Sequence, residues 1–151
     1  MITEHIDDVD ILSRWVFEPQ MTFVEKELIY KNLFDFPNGQ SESAVWRKYA
    51  IADQDVHDFG TKFEEIKRNK NPKTTYKGFC SSAAEAIRNL KFSDVDGHGF
   101  KIDHEPDEGN YHAHVSYDFA NGTKYEDVLK SRRQQLRYNL SKVFRQFCSV
   151  S

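Results

Sequence analysis

Between Gly99 and Phe119 the chain alternates apolar and polar residues in two runs, and only a pair of β-strands puts every second residue on one face. The first run is Phe100, Lys101, Ile102, Asp103, His104. The second is Tyr111 to Phe119, in which Tyr111, Ala113, Val115 and Tyr117 form the apolar face while His112 and His114 point away from it. The six-residue loop Glu105 to Asn110 joins them, and the turn pair Asn121 and Gly122 ends the second, so a β-hairpin is expected.

Helical signals surround it. Val56, Phe59, Phe63 and Ile66 recur at helical spacing behind a capping residue, Asp53, and Lys67 and Arg68 suit the C-terminal end of the dipole. Thr22 with Glu25 has the spacing of a capping box and predicts a helix over 23–34, ended by the turn at Pro37, Asn38 and Gly39. Ser82 with Glu85 predicts a short helix. Thr123 with Glu126 predicts a long amphipathic one to about residue 147, carrying Leu129, Leu136, Leu140, Val143 and Phe147 on its buried face and spanning ~36 Å. Further strands are expected at 44–49, around Trp46, and at 74–79; the segment 9–17 fits either a strand or a helix. The expected fold class is α+β, a small mixed or antiparallel sheet covered by helices and ending in the long C-terminal amphipathic helix. At 151 residues, residues 1–151 are expected to form a single domain.

The two cysteines, Cys80 and Cys148, supply no disulfide framework. With an acidic start and no apolar run long enough for a membrane span, a soluble, cytoplasmic protein with both thiols reduced is expected, and no membrane partner. Charge is blocky within a net value of −3: the first 60 residues hold 12 acids and 5 bases, whereas residues 119–151 hold 7 bases and 2 acids. The net charge argues against a general nucleic-acid coat, but the blocks leave room for a basic face. Two candidates are Lys130, Arg133 and Arg137, on one side of the last helix, and Lys70 and Lys73 beside Tyr76, where an aromatic among cations could bind a nucleotide or single strand. An ordinary solvated surface produces the same spacing.

Chemistry concentrates between His98 and His114. Four of the six histidines lie there with Glu105, Asp107 and Glu108. His112 and His114 share a strand face and could form two arms of a metal site, with His104 and a loop carboxylate completing it. The strand period puts His104 on the opposite face, so no metal and no cofactor are expected. His112 or His114 could instead act as general acid or base, with Asn110 orienting it, although Gly109 and Asn110 equally suit a left-handed turn. Asp94, Asp96 and Gly97 resemble the start of a calcium loop whose closing Glu is out of register, and read as chance. Cys80 reads as a small buried apolar residue and His57 as a packed or surface one. Glycine-rich phosphate loops and serine nucleophile elbows are absent from the sequence. The reading is therefore a non-catalytic binding or accessory domain that recognises a protein partner within a complex. The alternative is a small His-dependent hydrolase of the nuclease or phosphoesterase class, with or without the assistance of a metal.

Overall fold

A computed structural model describes residues 2–36, 41–49, 52–91 and 97–150. The chain runs through β1 (Ile11–Glu18), β2 (Thr22–Val24), β3 (Ile29–Lys31), β4 (Ser41–Trp46), α1 (Asp53–Arg68), β5 (Thr75–Ala83), α2 (Ala84–Arg88), β6 (Gly99–His104), β7 (His112–Asp118), α3 (Lys130–Val143) and β8 (Gln146–Ser149). Short 3-10 turns at Pro106–Glu108, Ala120–Gly122 and Tyr125–Asp127 connect the later elements. Six strands form one antiparallel sheet in the order β6-β7-β4-β1-β5-β8, and β2 and β3 form a separate hairpin. The fold is α+β. None of the described helices is long and apolar enough to cross a membrane.

The β6–β7 hairpin follows the alternation of its residues. Phe100 pairs with Tyr117, Ile102 with Val115 and His104 with Ala113, all buried, while His114 pairs with Asp103 on one side and Ser43 of β4 on the other. Tyr111 departs from the expected face. It lies just before β7, outside the strand period, and stacks on Phe59 of α1 at 4.3 Å between ring centroids. α1 therefore covers the His112 and His114 face. Trp15 of β1 holds it there by donating its indole N–H to the Val56 carbonyl at 3.1 Å and packing against Phe63. Ile66 lies beyond this cover and is exposed. Asp53 opens α1 but does not cap it; Asp55 accepts from the Ala52 N–H instead.

α3 and the β2–β3 hairpin cover the opposite face. Leu136 and Leu140 of α3 join Phe34, Phe36, Phe100 and Phe144 in the core, with T-shaped contacts between Phe34 and Phe144 and between Phe36 and Phe100. The helix expected over 23–34 is thus a hairpin. Leu28 and Asn32 take left-handed φ of 54° and 64°, which stop helix propagation, and Phe23 and Tyr30 pair across the strands. The long C-terminal helix is also corrected. α3 has 14 residues, roughly 21 Å of helix. Its predicted first turns are 3-10 turns that end at Val128, so Leu129 is exposed. Its predicted last turn is extended chain, because Gln146–Ser149 pairs with Ser81–Gly78 and extends the sheet at β5.

Smaller differences have similar causes. β4 starts at Ser41 and ends at Trp46, so Arg47 to Tyr49 form a turn. β5 runs on to Ala83 because it pairs with β1 as far as Ile11, which leaves Ser82 in the strand and α2 with five residues. The turn expected at Pro37, Asn38 and Gly39, and Asp94 and Asp96, lie outside the described residues.

Candidate functional site

The 3-10 turn at Pro106–Glu108 folds back over the start of β7 and carries the Glu108 carboxylate to both strand histidines. Oε2 of Glu108 lies 2.9 Å from Nδ1 of His112 and 3.3 Å from Nε2 of His114, and the two rings are 5.1 Å apart. One donor atom from each of the three residues falls within 4.8 Å of the others, which makes them the group that could hold a cation among the described residues. The His112 side chain is largely buried, and burial holds its pKa below the ordinary histidine value against the opposing pull of Glu108. Its Nδ1 forms no hydrogen bond despite the short distance, so the N–H direction misses the carboxylate oxygen.

These three groups edge a cavity of about 410 Å3. Trp15, Phe63 and Tyr111 form its aromatic side, and Ser41, Ser43 and Glu42 the rim along β4. No protein-family model matches the chain, and neither a curated protein nor a solved structure is significantly similar to it. The site must be read from its own geometry.

Of the residues singled out from sequence, His112 and His114 meet as expected. Asn110 does not orient them. Its side chain is exposed, and its backbone carbonyl accepts from Nε2–H of His104 at 2.9 Å. His104 is buried on the far face of the sheet, accepts the Glu4 N–H on Nδ1 at 3.0 Å and packs edge-on against Trp46. With both ring nitrogens hydrogen-bonded, it is a structural imidazole. His98 is likewise buried, accepting the Ala120 N–H.

The basic stripe is not free. Lys130 is exposed, but Arg133 donates to the carbonyls of Tyr125 and Val128, both at 2.9 Å, and lies over the Tyr125 ring. Arg137 donates to the Tyr117 hydroxyl at 2.9 Å. Tyr117 of β7 and Tyr125 of the turn before α3 draw both arginines inward. Lys70 and Lys73 are exposed, whereas Tyr76 is buried with its hydroxyl 2.8 Å from Nδ1 of His57, so it offers no stacking face.

Sequence reasoning missed Trp15, Phe63, Ser41 and Ser43, which come from segments far from β7 and carry no local signal. It also missed the approach of Cys148 to His57, with Sγ 3.6 Å from Nε2. Burial and the neighbouring Asp53 carboxylate push the Cys148 thiol up, which opposes thiolate chemistry. A larger groove of about 800 Å3 lies between β3 and α3, lined by Lys31, Asp35, Gln134, Arg137 and Tyr138 among others. It holds no imidazole or thiol, so size and chemistry point to different places; the smaller cavity has the reactive groups.

Proposed function

We propose that the protein is a small histidine-dependent hydrolase, in which Glu108, His112 and His114 activate water beside a substrate seated against Trp15, Phe63 and Tyr111. The observation that supports this reading is the convergence of two imidazole nitrogens on one carboxylate oxygen, at 2.9 and 3.3 Å, in the wall of a cavity of about 410 Å3. Small-molecule sites commonly combine an apolar wall with a few convergent polar groups in a cavity of roughly this size. Hydrolysis requires a group that weakens the hold of water on its proton, and an imidazole beside a carboxylate supplies that chemistry. Partner binding through a basic surface is the weaker reading, since only Lys130, Lys70 and Lys73 of its residues are exposed cations.

Turnover of p-nitrophenyl acetate, p-nitrophenyl butyrate and bis(p-nitrophenyl) phosphate by wild type and His114→Ala tests the proposal. The expected outcome is activity on at least one substrate, with kcat/KM lowered about 100-fold or more in the variant and its circular dichroism unchanged. Equal turnover by the two proteins, or none by either, would sink it.

A further inference from the structure

The geometry points to a divalent transition-metal site of the zinc class formed by Glu108, His112 Nδ1 and His114 Nε2. The inference rests on the hydrolase reading only for the purpose of the ion; the site itself follows from the positions of the donors. Zinc binds imidazole nitrogen and carboxylate oxygen at about 2.0–2.2 Å, so donors around a tetrahedral ion stand roughly 3.3 Å apart. Here the carboxylate oxygen is 2.9 and 3.3 Å from the two nitrogens, near a tetrahedral edge, and one ligand atom of each residue lies within 4.8 Å of the others, so binding would draw the two imidazoles closer together.

A proton or a cation between imidazole nitrogen and carboxylate oxygen is what holds such groups at these distances. A shared proton fits poorly on His112, where Nδ1 is buried yet makes no directed hydrogen bond to Oε2. A cation among the three residues would give the unpartnered His112 Nδ1 an acceptor for its lone pair while also meeting the Glu108 carboxylate and His114. The supports are rigid: β7 is an inner strand held by β6 and β4, and the turn bearing Glu108 is closed by its N–H on the Glu105 carbonyl at 3.3 Å. His104, on the far face, is not needed, because Glu108 supplies the third donor.

Two imidazoles with one carboxylate suit borderline ions such as zinc, manganese and iron(II), whereas magnesium and calcium prefer all-oxygen shells. Three protein donors leave positions open towards the cavity, where water and substrate can enter. Neither Lys nor Arg lines that cavity among the described residues, so a bound ion would supply the positive charge that a phosphate or a developing oxyanion needs.

Tag-free protein stripped with a chelator is titrated with Zn2+ by calorimetry and with Co2+ by visible absorption. Expected are one zinc per chain, cobalt bands without the near-ultraviolet absorption of a thiolate ligand, and no competition from Mg2+. His114→Ala and Glu108→Gln should each weaken zinc binding by at least the roughly tenfold that loss of an outer-shell partner causes. Glu108 is exposed, so its variant keeps the fold, and His5→Ala, at another exposed site, should bind as wild type. Absence of zinc uptake, uptake unchanged in both Glu108→Gln and His114→Ala, or a thiolate band would overturn the site. Zinc uptake without turnover overturns the hydrolase reading and leaves the site standing. Turnover in metal-free protein that His114→Ala abolishes, together with no zinc uptake, does the reverse.

Discussion

Arg14 of β1 is a charged side chain with 6% of its surface exposed. Burial holds its pKa below the usual arginine value, and Glu42, 3.3 Å away, pulls it back up. The guanidinium also donates to the carbonyls of Leu33 at 3.1 Å and Ser43 at 3.2 Å and approaches the Phe34 ring. Nε and Nη1 thus meet carbonyls, and Nη2 faces the Glu42 carboxylate. Removing one partner of such a pair strands a charge in the interior, which costs about 3–5 kcal/mol. Glu42→Ala should therefore destabilise the protein by about 3 kcal/mol in urea unfolding. Replacing both partners together, as Arg14→Met with Glu42→Leu, should cost less than Glu42→Ala alone. A double variant that is the less stable of the two would show that the ion pair contributes more than apolar side chains in its place.

At the scale of elements, the position of α1 decides the shape of the candidate site, because it brings Phe63 and the Phe59–Tyr111 stack over the strand histidines. Gly60 sets how closely that helix approaches the sheet. A Cβ at this position would stand 2.5 Å from carbons of the Tyr76 ring, and Tyr76 is fixed by its hydroxyl contact with His57 and its backbone N–H on Glu64. Helix propensity alone favours Ala over Gly by about 0.8–1.0 kcal/mol, whereas overpacking a buried contact costs about 1–3 kcal/mol. The clash should win, so Gly60→Ala is expected to lower the melting temperature. A higher one would mean that the Tyr76 ring yields easily.

For the whole molecule, several buried acids link stability to pH. Burial raises the Cys80 thiol from 9.0 to about 12, and burial is also the first cause raising Tyr30, Tyr76 and Tyr117. The unfolded chain releases these protons first, so the contribution is fully present below pH 9 and is lost as pH rises towards 12. For Cys80 alone the loss across that window is on the order of 4 kcal/mol. Unfolding by urea between pH 8 and 11 should show stability falling with pH in wild type and falling less steeply in Cys80→Ala. Equal slopes would place Cys80 in contact with water.

Residue periodicity alone determined the β6–β7 hairpin, the common face of His112 and His114, the opposite placement of His104 and the existence of α1, because each is a local pattern that repeats within a few residues. The tertiary structure decided the rest. The apparent helix at 23–34 became a hairpin because two residues take left-handed backbone and the strands pair across rings, while the end of the last predicted helix became β8 because β5, some 70 residues earlier, offered an open edge. Glu108 was visible as one of several nearby carboxylates, but only the 3-10 turn at Pro106 selects it over Glu105 and Asp107. Likewise the charge of Arg133 and Arg137 was legible, yet its direction was not: hydrogen bonds to tyrosines and carbonyls of other segments turned both side chains inward, and no spacing along one helix encodes where those acceptors stand.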